Sequence, residues 1–153
     1  MITLADGTRL AVLICFETLF SDVARSNVLA EGDPAQLLLA LTNDASFRDS
    51  AEPAQHLAQS RLRAVETGRW TVHASLSGSS AFVDPLGVVY DETEVFTRDT
   101  IRRELPLAAG RTPYLVIGDV IGVVTRAMVL IVLGWSVVGW VRRRRSDATA
   151  SNR

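Results

Sequence analysis

The chain has 153 residues, enough for one domain, and a formal net charge of −1. No basic face points to nucleic acid: residues 1–114 carry ten Arg against fifteen Asp and Glu, and the rest carry six Arg against two Asp. Every cation among Lys and Arg is Arg, and a single cysteine excludes an internal disulfide.

After a turn at Ala5-Asp6-Gly7-Thr8, Arg9 to Ile14 is expected to form a buried strand ending at Cys15. Phe20 to Leu29 reads as a short helix capped by Ser21, with Phe20, Val23, Ala24 and Val28 on one side. The continuous apolar run Gln36 to Thr42 predicts a second buried strand, and Asn43 to Phe47 the loop at its C-terminal end. Pro53 to Thr67 is the clearest helix, opened by Pro53, closed by Gly68 and striped with Leu57, Ala58, Leu62 and Val65. Arg63 and Glu66, three apart, are expected to pair on its surface. Trp70 to Leu76 is a third strand, and Ser77 to Ser80 a tight turn. Ala81 to Val83 and Val88 to Tyr90 flank the turn Asp84-Pro85-Leu86-Gly87 as a hairpin, and Thr100 to Leu105 reads as a last short strand. This order predicts an α/β layered sandwich rather than a simple doubly wound sheet.

Residues 115–141 are almost wholly apolar and long enough to span a bilayer as a helix. Trp135 and Trp140 lie toward one end and Tyr114 at the other, and Arg142 to Arg145 follow at once. That arrangement predicts a transmembrane helix with its C-terminal end in the cytoplasm and the α/β part on the outer face. Arg126 falls inside the span, which favours a helix bundle over a lone helix. No signal peptide precedes the α/β part, so membrane helices upstream of Met1 are expected to export it. Residues 1–114 are then one domain, 115–141 the span, and 142–153 a basic tail whose end, from Ser146, reads as disordered.

Cys15 carries the chemical interest. A thiol at the end of a buried strand, before a turn into a helix, is where α/β enzymes hold a nucleophile, with free backbone N–H groups to stabilise an oxyanion. The plainer reading is a small buried hydrophobe. His56 and His73 allow a Cys/His hydrolase with Asp44 or Asp84 as orienter, though each histidine is as simply structural. Two histidines and one cysteine show no metal-ligand spacing, so no metal and no other cofactor is expected.

The stretches ICFE at 14–17, LLLALTNDASF at 37–47, QHLAQSRLRAVETGR at 55–69 and SGSSAFVDPLG at 77–87 resemble the C-terminal half of a nitrilase-type, or carbon–nitrogen hydrolase, domain. With Arg111-Thr112-Pro113-Tyr114 and Gly118-Asp119 standing before an apolar run, the closer similarity is to the apolipoprotein N-acyltransferase family. The resemblance implies the C-terminal half of an α-β-β-α sandwich followed by one transmembrane helix, in the bacterial inner membrane. It implies a cysteine that takes an acyl chain from a phospholipid as a thioester. The chain then passes to the N-terminal amine of a diacylglyceryl-cysteine apolipoprotein. By position Cys15 is the nucleophile, Glu17 a supporting carboxylate that is not the base, and Phe16 a backbone oxyanion donor where the family often has Tyr. Ser46 stands where the family often has Trp. The family's base Glu and its Lys lie upstream of the cysteine, whereas fourteen residues precede Cys15 here and the sequence has no lysine. The expectation is therefore a C-terminal fragment, inactive alone. The alternatives are a non-catalytic remnant and a membrane-tethered amidase of the nitrilase type.

Overall fold

Apolar runs bounded by turns build the centre of the sheet, because a strand covered by side chains on both faces has no polar alternation. The computed structural model describes residues 1–30, 32–48 and 50–150, with their side chains except those of 138 and 141–150. Among the described residues, β1 (Ile2–Thr3), β2 (Arg9–Ile14), β3 (Leu37–Thr42), β4 (Thr71–Ser75), β5 (Ala81–Val83) and β6 (Val89–Tyr90) form one sheet in that order. β2, β3 and β4 are parallel, and the edges on either side pair antiparallel. Parallel neighbours need long crossovers, supplied here by α1 (Ser21–Leu29) and α2 (Glu52–Thr67). The expected α/β class is observed.

One face of the sheet is packed. Ala11 and Leu13 of β2, Leu38 of β3 and Ala24 and Val28 of α1 cluster with Ala35 and Leu115. Leu57 and Ala64 of α2 cluster with Ala81 and Val83 of β5. Each fully buried Leu or Val stabilises the fold by roughly 1.5–3 kcal/mol. The alternate residues form a second apolar face. Val12, Leu39 and Val72 lie in register across β2, β3 and β4, as do Ile14, Leu41 and Ala74. Ile14 is 63% and Leu41 41% exposed. Helices on one face and an open apolar face on the other make this one α–β half of a layered sandwich.

Several expectations are corrected. Ser21 does not cap α1; Phe20 is the N-cap and Ser21 the first helical residue. The buried side of α2 is Pro53, His56, Leu57, Ser60, Arg63, Ala64 and Thr67, while Leu62 and Val65 face outward. The Arg63–Glu66 pair forms at 3.1 Å, but Arg63 is buried rather than on the surface. Residues 100–105 make no strand: their burial alternates as an extended chain should, without a ladder partner. The strand β1 was not anticipated, being two residues long.

Gly118 divides the apolar run expected from 115 to 141. Before it, α3 (Pro113–Ile117) belongs to the unit Met1–Gly118, with Leu115 in its core. Thr112 caps α3 by accepting the Leu115 N–H at 3.2 Å, and donates its hydroxyl to the Glu66 carbonyl at the end of α2 at 2.6 Å. The Arg25 guanidinium donates to the carbonyls of Tyr114, Leu115 and Val116. The RTPY segment is thus bound to both helices of the α/β unit.

The second unit begins at Asp119, whose carboxylate accepts the Gly122 N–H at 2.8 Å and caps α4 (Val120–Ala150). Its window Val120–Val137 has mean hydropathy 2.1, so by length and composition it is able to cross a membrane. The backbone stays helical to Ala150, correcting the disorder expected from Ser146 up to that point. The Arg142 to Arg145 side chains, and residues 151–153 of the tail expected at 142–153, lie outside the described residues.

Candidate active site

β2 ends at Ile14 and the chain turns at once into a 3-10 helix, Cys15–Leu19. Cys15 stands at that corner with φ of 50°, in the left-handed region. A non-glycine residue held there carries about 1–3 kcal/mol of strain, which surrounding bonds must offset. Glu17 supplies one such bond: its Oε2 accepts the Ile14 N–H at 2.8 Å. Thr18, fully buried, supplies another by donating its hydroxyl to the Cys15 carbonyl at 3.0 Å.

Beneath the corner lies a buried polar network. His56, on the first turns of α2, places Nε2 3.1 Å from the Cys15 carbonyl oxygen and 2.8 Å from the Thr18 hydroxyl. Its Nδ1 lies 2.8 Å from Asp44 Oδ1. Thr42 and Ser75, from the C-terminal ends of β3 and β4, donate hydroxyls to the two Asp44 oxygens at 2.9 and 3.1 Å. The Gly78 N–H then donates to Ser75 Oγ at 2.7 Å. Burial alone would raise the Asp44 carboxyl, but the bonds from His56, Thr42 and Ser75 hold it below the ordinary carboxylate range. A carboxylate and a carbonyl oxygen both only accept, so the ring donates from Nδ1 to Asp44 and from Nε2 toward the Cys15 carbonyl and the Thr18 hydroxyl, with a proton on each nitrogen.

His73 lies behind, with its ring centroid 5.5 Å from that of His56 and its Nδ1 bonded to Ser60 at 2.8 Å. Burial, then the neighbouring His56, push it down to about 4, against the pull of Asp44. Glu52 joins the cluster from α2: one ligand atom each of Asp44, Glu52 and His56 lie within 4.8 Å of one another. Its carboxyl is raised by burial and by the Asp44 charge. Sequence spacing gave no sign of that grouping.

The other side of the corner is open. A pocket of about 480 Å³ is lined by Ile14 and Cys15, by Leu41, Thr42 and Asn43, and by Ala74, Ser75 and Leu76. These residues stand at or just past the C-terminal ends of the three parallel strands, where α/β sheets gather their sites. Phe16 follows Cys15, half exposed, its ring edge-on to Phe47 and parallel to His56. Ser46 is exposed in the short 3-10 turn Ala45–Phe47.

Cys15, Phe16 and Glu17 therefore share one corner. The Cys/His arrangement does not form as such: His56 meets Cys15 through its backbone carbonyl, and His73 is a further layer away. Asp44 orients His56, whereas Asp84 closes its own turn by accepting the Leu86 and Val88 N–H groups and the Tyr90 hydroxyl. Thr18, Thr42, Ser75 and Gly78 were not anticipated, since serines and threonines in apolar runs give no signal until the fold aligns them.

Residues 1–112 match the carbon–nitrogen hydrolase family. The chain belongs to that family. Two curated relatives are named apolipoprotein N-acyltransferase. The one from Azotobacter vinelandii is 35% identical over 147 residues, covering 95% of this chain and 26% of the relative. The one from Haemophilus influenzae is 36% identical over 131 residues, covering 86% and 24%. This carbon–nitrogen hydrolase chain thus spans about a quarter of the length of those relatives. Among solved structures, an amidase from Nesterenkonia sp. aligns at 28% identity and a TM-score of 0.47, covering 61% of this chain and 37% of that one.

Proposed function

We propose that this chain bears the nucleophile of a phospholipid-dependent N-acyltransferase, with Cys15 as the acyl carrier. The observation that carries the reading is the position of Cys15: strained, at a strand end, lining an open and mostly apolar pocket. Such a pocket suits an acyl chain better than a small polar amide. Similarity to relatives named apolipoprotein N-acyltransferase supports the same class.

In the proposed reaction the Cys15 thiolate attacks a phospholipid ester carbonyl. A sulfur–carbon bond forms, and the carbonyl oxygen takes the electron pair while the Phe16 N–H donates to it. The carbon–oxygen bond breaks, and a protonated lysophospholipid leaves. The N-terminal amine of a diacylglyceryl-cysteine apolipoprotein then attacks the thioester, forms the amide and releases the thiol. Glu17 holds the corner. The family resemblance places a base Glu and a Lys before the cysteine, and the sequence has no lysine, so we read those two groups as supplied from outside this chain. We read Val120–Val137 as a membrane span, with the Arg-rich end in the cytoplasm and the α/β unit on the outer face of the inner membrane.

The test is acyl transfer from phospholipid to a diacylated lipopeptide. The purified chain alone is expected to show no turnover. Adding a polypeptide that covers the upstream three-quarters of a relative is expected to produce turnover that Cys15→Ala abolishes. Turnover by the chain alone that is lost on Cys15→Ala would overturn the expected dependence on outside groups. Turnover indifferent to Cys15, or none in the complemented mixture, would overturn the function.

A further inference from the structure

We propose that Asp44 and His56 are a positioning pair that fixes the Cys15–Phe16 peptide so that the Phe16 N–H faces the Cys15 pocket as the oxyanion donor. The inference rests on reading Cys15 as an acyl-accepting nucleophile.

The argument begins with peptide geometry. In a trans peptide the carbonyl and the following N–H point in opposite directions, and no cis bond occurs among the described residues. Holding the Cys15 carbonyl on one side therefore aims the Phe16 N–H to the other. The carbonyl is held on the helix-covered side, by the Thr18 hydroxyl at 3.0 Å and by His56 Nε2 at 3.1 Å. The opposite side is where Ile14, Leu41 and Ala74 line the open pocket with Cys15.

His56 is built for that task. It is 3% exposed, and both its ring nitrogens are engaged. Asp44, wholly buried, fixes the Nδ1 proton and with it the ring orientation. Thr42 and Ser75 fix Asp44 in turn, so the ends of β3 and β4 together determine where the imidazole stands. The pair touches no reacting atom; among the described residues its link to Cys15 is through the carbonyl, not the sulfur. This separates it from a general base, which would need the thiol within reach.

Two reactions of the same sulfur distinguish positioning from mere stability. Acylation by p-nitrophenyl butyrate passes through an oxyanion; the S–C bond forms, the carbonyl oxygen holds the electron pair, and p-nitrophenolate leaves. Alkylation by iodoacetamide displaces iodide at a saturated carbon and builds no oxyanion. In the full chain, His56→Leu is expected to slow acylation about 100-fold while alkylation stays within about threefold. His56→Gln, which keeps a side-chain N–H toward the carbonyl, is expected to recover most of the loss, and Asp44→Asn to fall between. Parallel slowing of both reactions, no change in either, or a Gln variant as poor as Leu would overturn the proposal. If the unsubstituted chain is not acylated at Cys15, the acyl-transfer reading itself fails. The positioning claim is then decided by the Cys15 carbonyl 13C and Phe16 amide 15N shifts: movement in Asp44→Asn supports it, and unchanged shifts overturn it.

Discussion

Glu17 Oε2 accepts the backbone N–H of Ile14 at 2.8 Å, so this carboxylate closes the turn on which Cys15 stands. In the structure it serves this turn as a hydrogen-bond acceptor. Glu17→Gln keeps an acceptor oxygen and is expected to hold Cys15 acylation within about threefold. Glu17→Leu removes it, freeing the strained corner at a cost of about 1–2 kcal/mol and slowing acylation at least tenfold. Rates with p-nitrophenyl butyrate check this; a Gln variant as slow as Leu would show that the charge itself takes part.

Gly78 packs where no side chain fits. A Cβ there would collide with the Asp44 carboxylate and come 2.7 Å from Ser75 Oγ. Gly78→Ala must push Asp44 away from His56, so it is expected to cost about 1–3 kcal/mol in chemical denaturation. It should also lower acylation more than alkylation of Cys15. A variant with wild-type stability and rates would contradict the network.

His73 makes stability depend on pH. In the unfolded chain it takes a proton as pH falls through its ordinary value of 6.5; in the fold burial delays this to about 4. The unfolded state therefore binds more protons between those values, and stability falls as pH drops from 6.5 toward 4. The loss over that window is about 3 kcal/mol. Urea unfolding at pH 7 and pH 5 should show the decline, and His73→Asn should flatten it. Equal slopes in the two proteins would contradict the assignment.

Arg69 is 2% exposed and donates to three carbonyls, those of Ala35, Thr67 and Gly110. It staples the start of β3, the end of α2 and the segment leading to α3. Burial pulls its guanidinium below its usual value. Arg69→Lys loses the planar fork and leaves carbonyls unpaired, at about 2–4 kcal/mol in denaturant titration. Arg69→Met should cost at least as much, since all three carbonyls then lose their donor.

The three parallel strands were legible because each is an apolar run between turn signals, and α2 because Pro53 opens it and Gly68, at φ of 64°, closes it. Which side of α2 faces inward was not legible. Its buried positions include His56, Ser60, Arg63 and Thr67, and hydrophobicity alone assigns such residues to solvent. Cys15 stood out by its place at a strand end. Asp44 was among the orienters the sequence offered for a histidine, and it does hold His56; that the pair meets Cys15 through its carbonyl, with Thr42 and Ser75 behind it, was not legible, because these groups come from two strand ends, a loop and a helix that only the sheet brings together. Residues 100–105 show the converse: they alternate like a strand, and pattern cannot reveal the lack of a pairing edge.

The most direct test of the account is how Cys15 divides its reactivity between two electrophiles. An activated ester needs no help for its leaving group, so neither a general base nor a lysine is required. In the full chain the ratio of p-nitrophenyl butyrate acylation to iodoacetamide alkylation at Cys15 should exceed that of N-acetylcysteine by at least about tenfold, through the Phe16 N–H. Peptide mapping should place one butyryl group on Cys15, removable by neutral hydroxylamine. A ratio equal to that of the small thiol, or acylation elsewhere while Cys15 is alkylated normally, would contradict the claim that this corner is an acyl-transfer site.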